Sequence, residues 1–215
     1  DRLDTQRASA FLSACLGLAR APVHTSTWSQ LALETLGDID RLLLGATDEE
    51  THERMNDQQL RDEALTLFLA GYETTAAALA WAYQFMFERP EVADKLHAEA
   101  DSVLGQRTPT ITDVASLPYT KMVLQEALRL RPPSFWTPRV ALTDDEIDGY
   151  PIKAGTTVAP VTYVIHHHPE IWEDPERFDP ERFLPERSQN RHRAAWIPFA
   201  LGQHQCIGKE FAMLE

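Results

Sequence analysis

The sequence predicts a mainly α protein with a small β part. Three observations carry this. Apolar-periodic stretches with helix start and stop signals fill residues 56–133. A run of β-branched residues broken by Gly and Pro follows at 138–165, and a proline-rich, charged but aromatic segment at 169–189 leads to a final helical start. Helices, then a small sheet, then an ordered loop, then a helix is not the alternation of an α/β fold.

The elements follow in order. Residues 8-ASAFLSACLGLAR-20 form a candidate helix ended by Pro22, and 23-VHTSTWSQLALETLGD-38 a second, capped at Thr25 or Ser26. Residues 56–89 read as one helix with Asn56 as N-cap and Pro90 closing it. At ~1.5 Å per residue it is ~50 Å long. Its stretch 65–87 has the length of a membrane span, but Glu73 sits mid-run and the flanks lack basic anchors. The expectation is therefore a long helix buried in a soluble core. Next come 91-EVADKLHAEADSVLG-105, an amphipathic helix stopped by Gly105, and 118-PYTKMVLQEALRLRPP-133, with Pro118 at its start and Pro132 and Pro133 at its end. Residues 138–165 read as short strands, and 169–189 as an ordered meander, too aromatic for disorder.

Bulk properties set bounds on function. The 215 residues suit one domain of ordinary size, and 43% are hydrophobic, enough for a core. A net charge of −13 argues against nucleic-acid partners and against anionic membranes. Two distant cysteines, Cys15 and Cys206, do not make a disulfide framework, so a soluble protein of the reducing cytoplasm is expected. The chain starts at Asp1 without a secretory leader and stops inside an apparent helix, 208-GKEFAMLE-215. It reads as a piece of a longer protein, truncated at both ends, and a membrane anchor elsewhere stays open.

The chemistry concentrates in 199-FALGQHQCIG-208. Cys206 opens the last predicted helix, where free N–H groups and the dipole favour thiolate. Three uses compete. Zinc wants further ligands at short spacing, and the only cluster is 166-HHH-168 in a turn before Pro169. Three consecutive side chains of an extended segment cannot all face one ion. A nucleophile wants a base, for which His204 is a weak candidate. A thiolate on heme iron needs no second protein ligand. A buried structural cysteine is the fourth reading.

Two further patterns come from spacing alone. Glu126 and Arg129, at i and i+3, share a helix face. In 70-AGYETT-75 an acid and an alcohol sit mid-way along an apolar helix, and Thr74 can bond back to the Ala70 carbonyl and bend it.

Four motifs in order resemble those of the cytochrome P-450 superfamily: 70-AGYETT-75, 126-EALR-129, 180-PERF-183 within 172-WEDPERFDPERF-183, and 199-FALGQHQCIG-208. The resemblance covers residues 38–215; residues 1–37 match nothing the family places there. It implies heme b with Cys206 as axial thiolate, held in a loop with Phe199, Gly202 and Gly208 on its fixed positions. It implies that Ala70 and Gly71 line the cofactor and that Glu73 and Thr74 relay protons to bound oxygen. His204 and Arg139 then bond the propionates. Glu126, Arg129 and Arg182 form a buried network, Arg182 being preferred over Arg177 of the neighbouring repeat because of its lead-in. Phe135 and Trp136, with Phe68, Leu69 and Ala77, shape an apolar substrate pocket. The partners implied are dioxygen, an apolar small molecule and an electron donor, a ferredoxin or flavin reductase, docking where Lys121, Arg187, Arg191, Arg193 and Lys209 gather. The activity implied is monooxygenation.

Ala200 departs from the pattern, standing where a glycine or small turn-former usually follows the loop's phenylalanine. If that position needs positive φ, alanine costs stability. Two other functions compete: a non-catalytic fragment unable to retain heme, and a heme-thiolate enzyme that rearranges peroxides. The intact Glu73–Thr74 pair argues against the latter.

Overall fold

The computed structural model describes residues 43, 45–47 and 52–214. The candidate helices at 8–20 and 23–38, with Cys15 and the caps Thr25 and Ser26, lie outside these residues. Two compact units are present, Asp1–Glu73 with Glu215, and Thr74–Leu214.

In the first unit Thr47 and Arg54 form an antiparallel bridge. Helix α1, Asp57–Glu88, begins there. Asn56 caps it as expected: its Oδ1 accepts from the N–H groups of Gln58 and Gln59, each at 3.0 Å. Gln59 Oε1 accepts from the Asn56 N–H in return, so orphan donors are satisfied from both sides. The expected burial of α1 is not observed along most of its length. Leu65, Leu69, Tyr72, Trp81, Tyr83 and Phe87 are exposed, while Ala64, Ala82 and Phe85 are buried. The helix does not confine its apolar residues to one face, and its buried residues cover one narrow stripe. No helix among the described residues is long and apolar enough to cross a membrane.

In the second unit Pro90 starts α2, Pro90–Leu104, which ends at Gly105 with φ +56° and an N–H bond to Asp101 O. Helix α3, Pro118–Leu130, carries the core. Ala82, Phe85, Val92, Val123, Ala127, Leu130 and Phe178 form one buried cluster. The start of α3 is capped from α2. Glu99 accepts from the N–H groups of Tyr119 at 2.7 Å and Thr120 at 2.8 Å, and from the Thr120 hydroxyl. Two orphan donors beside Pro118, which has none, thereby find a carboxylate.

The β part is two antiparallel pairs. Strands β1, Arg139–Val140, and β4, Thr157–Val158, pair with Arg139 opposite Val158. Strands β2, Asp145–Ile147, and β3, Tyr150–Ile152, form a hairpin. Asp148 and Gly149 turn it with φ of +50° and +82°, the pair of positive angles a tight two-residue hairpin needs. One predicted strand is a helix instead. The run 161-VTYVI-165 contributes to α4, Thr162–His166. Thr162 and His166 stand four apart on one face and both are buried, so helical spacing overrides β propensity. The meander that follows is ordered around Trp172, and its Pro180–Phe183 turn packs on α3. Short helices α5, Pro185–Ser188, and α6, Lys209–Ala212, complete the order.

Removing the Glu99 cap is expected to cost about 1–2 kcal/mol. Urea unfolding of Glu99→Ala against the parent chain reads it, and an unchanged midpoint would count against the cap.

Candidate functional site

The predicted network is present and deeply buried. Glu126 and Arg129 have no exposed surface, and Arg182 has 4%. Arg129 grips Glu126 with two parallel bonds, Nε to Oε2 at 2.7 Å and Nη2 to Oε1 at 2.9 Å. Arg182 Nε pairs with Oε1 at 3.3 Å, and the Asp179 N–H donates to the same oxygen at 2.9 Å. Two guanidinium groups against one carboxylate leave an excess positive charge. Backbone carbonyls take it up. Arg129 also donates to His166 O at 2.7 Å and Arg177 O at 3.3 Å. Arg182 donates to the carbonyls of Glu173, Asp174 and Arg177. The choice between the two repeats resolves physically: Arg182 supplies a side chain, and Arg177, exposed, supplies only its carbonyl to the network.

A third arginine joins. Arg191 was expected on a docking surface, but its guanidinium lies 4.2 Å from the Trp172 ring centre and donates to Arg182 O at 2.8 Å. Arg129 lies over the same ring at 5.0 Å. Trp172 thus carries cations that the single carboxylate does not neutralise. Arg187 is engaged too, paired with Asp179 at 3.0 Å.

The cysteine loop hangs from α3. Trp196 Nε1 donates to Gln125 O at 3.1 Å, and the Ile197 N–H donates to His166 Nε2 at 2.8 Å. Two backbone bonds then shape the loop: Ala200 N–H to Ile197 O at 3.1 Å, and Cys206 N–H to Phe199 O at 2.9 Å. Phe199 meets Trp196 edge-on at 6.3 Å. Ala200 does adopt positive φ, +58°, and Gly202 has +77°. Cys206 is a free, exposed thiol. A Cβ on Gly208 would meet its Sγ at 3.9 Å, an ordinary contact. The last helix starts later than expected, with Gly208 as cap and Lys209 as first residue, so Cys206 precedes it rather than opens it. Ile207 and Gly208 form a separate turn after the thiol, where the Lys209 N–H donates to Cys206 O at 3.4 Å. A cavity of about 180 Å³ flanks the loop, lined in part by Arg193, Trp196, Phe199, Gln205 and Lys209.

Glu73 and Thr74 are consecutive on α1 and exposed, as are Ala70 and Gly71. Arg139 is exposed on β1 and bonds the Pro138 carbonyl at 2.8 Å. His204 ends a 3-10 turn, Gly202–His204, and is exposed. Phe135 and Trp136 stack on each other, exposed, at 6.3 Å. Phe68 stacks on Tyr72 at 6.1 Å.

The three histidines go separate ways. His166 Nδ1 meets Arg129 O at 3.1 Å, His167 Nδ1 meets Tyr163 O at 2.8 Å, and His168 Nδ1 accepts from Glu170 N–H at 3.3 Å. Among the described residues no cluster of three His, Cys, Asp or Glu could hold a metal ion. His166 is fully buried, and burial pushes its pKa down to about 4. Sequence reasoning missed His166 and Arg191. The four-residue spacing from Thr162 was the signal for the first; nothing local marked the second.

Fold and site together define a mainly α protein that presents one cysteine from a loop rooted on a buried acid–arginine lock. The comparisons with known proteins agree. The family model described as Cytochrome P450 matches residues 24–215. The chain is 42% identical over 179 residues to cyclooctat-9-en-7-ol 5-monooxygenase of Streptomyces melanosporofaciens, covering 83% of this chain and 39% of that protein. It is 37% identical over 203 residues to cytochrome P450 4V2 of Rattus norvegicus, covering 94% of this chain and 37% of that one. The crystal structure of the cytochrome P450DA heme domain superposes with a TM-score of 0.76 at 34% identity, over 95% of this chain and 49% of the other. The chain belongs to the cytochrome P450 family, in which a cysteine thiolate holds heme, and it spans less than half the length of these relatives.

Three outcomes follow. Arg182→Ala is expected to cost about 3–5 kcal/mol, because it takes a partner from the buried Glu126 and the donor from the Glu173 and Asp174 carbonyls, and Arg177→Ala within about 0.5 kcal/mol. Ala200→Gly is expected to stabilise by about 1 kcal/mol by relieving the left-handed backbone. For His166 the folded pKa lies below the unfolded value of 6.5, so between the two the unfolded chain takes up the proton. Its contribution to stability is full above about pH 6.5 and is lost as pH falls towards about 4, amounting to about 2 kcal/mol between about pH 7.5 and pH 5. Urea midpoints of the parent chain and His166→Gln across that window read it, the variant showing the smaller fall.

Proposed function

We propose that this chain is the cysteine-bearing part of a heme-thiolate monooxygenase acting on an apolar organic substrate. The observation that carries the reading is the loop: its root is bonded to the helix of the buried network, its backbone closes from Cys206 to Phe199, and its thiol is left exposed.

The donor set suits heme b. One exposed thiol on a closed loop would supply a single thiolate ligand to the iron. Two exposed cationic or hydrogen-bonding side chains, Arg139 and His204, suit a pair of propionates. Phe199 and Gly202 complete the loop, with Gly208 beyond the thiol. Bound heme supplies dioxygen activation and transfer of one oxygen atom. The protein's part is to hold and to deliver. Cys206 binds through Sγ. Glu73 and Thr74, an acid beside a hydroxyl on α1, would hold and move protons from water towards the cofactor's reacting side. Ala70 and Gly71 leave room on α1. Phe135 and Trp136 present apolar surface to the substrate and exclude water. The Streptomyces relative, a cyclooctat-9-en-7-ol 5-monooxygenase, supports an apolar organic substrate class.

Electrons come from a partner protein, a ferredoxin or a flavin reductase. Arg193 and Lys209 line the same cavity beside the cysteine loop and, with Lys121 exposed on α3, form the attracting charge. The acidic balance and free thiol support a soluble, cytoplasmic protein.

The absorption spectrum of the chain supplied with heme, reduced and exposed to carbon monoxide, tests the reading. A strongly red-shifted Soret band, lost in Cys206→Ser, is expected; a histidine-like or free-heme spectrum would refute it. In turnover with a reductase, Thr74→Ala is expected to consume several-fold more reducing equivalents per product. Charge reversal at Arg193 and Lys209 is expected to slow reduction about tenfold at low salt, the effect shrinking as salt screens it.

A further inference from the structure

His166 is fully buried, titratable and unused by the chemistry above. Its ring has two neighbours with opposite demands. The Ile197 N–H can only donate, so Nε2 accepts at 2.8 Å. Nδ1 must then carry the proton, and it donates to the Arg129 carbonyl at 3.1 Å. That carbonyl lies in the last turn of α3, where no intrahelical donor reaches. Arg129 in turn donates from Nη1 to the His166 carbonyl at 2.7 Å. The two residues therefore exchange side chain for backbone, and the imidazole's far nitrogen is left to hold the loop.

What it holds is the loop's root. Ile197 O accepts from Ala200 N–H, and Phe199 O accepts from Cys206 N–H. The path from the Glu126 carboxylate to the cysteine is thus Arg129, His166, Ile197, the Ala200 turn, Phe199, Cys206, each step a hydrogen bond, an ion pair or a short stretch of chain. Trp196, bonded to Gln125 O, is a second anchor one residue earlier, but its bond is on a side chain and leaves the Ile197 backbone free to rotate.

We infer that His166 is a positioning residue that clamps the Ile197 backbone to the end of α3 and thereby sets where Cys206 stands. The consequence for ligation rests on Cys206 being the heme ligand; the clamp itself does not.

Two substitutions separate the bonds. The short amide of His166→Asn keeps a donor for Arg129 O and cannot reach Ile197. The longer His166→Gln keeps an acceptor for Ile197 N–H. Amide hydrogen exchange on the heme-free chain is read at Ile197, with Val123 and Leu130 as core references. In the parent chain Ile197 is expected to be as protected as those core amides; free exchange there would overturn the inference whatever the variants do. His166→Asn is expected to speed Ile197 exchange about tenfold or more relative to the core, the size of one lost hydrogen bond, and His166→Gln to restore most of the protection. Equal exchange in the two variants would overturn the clamp. The second readout is the thiolate-type carbon monoxide band in the heme-loaded chain. It is expected to fall several-fold in His166→Asn and recover in His166→Gln. An undiminished band in His166→Asn alongside a loosened Ile197 would overturn the link from clamp to cysteine. Absence of the band in the parent chain would instead refute the ligation reading, leaving the exchange data to decide the clamp.

Discussion

Everything in the larger unit leans on one buried carboxylate. Glu126 receives two bonds from Arg129, a third from the Asp179 backbone and an ion pair from Arg182, with no water contact of its own. A lone ionised acid at that depth would be prohibitively costly, and so would either arginine. Each is tolerable only with the others in place. The network therefore specifies geometry more than it adds net stability: the meander can dock on α3 in one way, because any other way buries an unpaired charge.

The surplus cation is what turns an ion pair into an architecture. It recruits the carbonyls of His166, Glu173, Asp174 and Arg177, and those carbonyls belong to α4 and to the turns of the meander. Segments with hardly any regular secondary structure are thereby ordered by electrostatics rather than by ladders of backbone bonds. Trp172, with Arg129 and Arg191 over its ring, extends the same logic to a π face.

What the sequence made legible divides along physical lines. Local signals were reliable: the Asn56 cap, the Gly105 stop and the Pro118 start each act within a few residues of their own position. The i, i+3 spacing of Glu126 and Arg129 was visible for the same reason, and the choice of Arg182 over Arg177 came from the motif around it. The positive φ at Ala200 was visible only as a condition, because a glycine usually stands there, and the fold supplies the angle. Non-local facts were hidden. No rule of spacing shows that Arg191 turns inward over Trp172. The run 161-VTYVI-165 looked like a strand because β-branching was weighed without its burial partners. The exposure of α1 was invisible because an apolar sequence records what a surface prefers, not what stands beside it.

The closed loop has a further consequence. The bonds from Ala200 to Ile197 and from Cys206 to Phe199 fix the backbone that leads to the thiol within the folded chain itself. A group that bonds to Sγ therefore meets a ligand already in place and has little chain entropy left to remove. Affinity at such a site is governed by how fast the bond breaks more than by how fast the loop can be found and folded. The left-handed alanine is where that readiness is stored: the chain holds a conformation its side chain resists, so that the ordering is done during folding and not during capture.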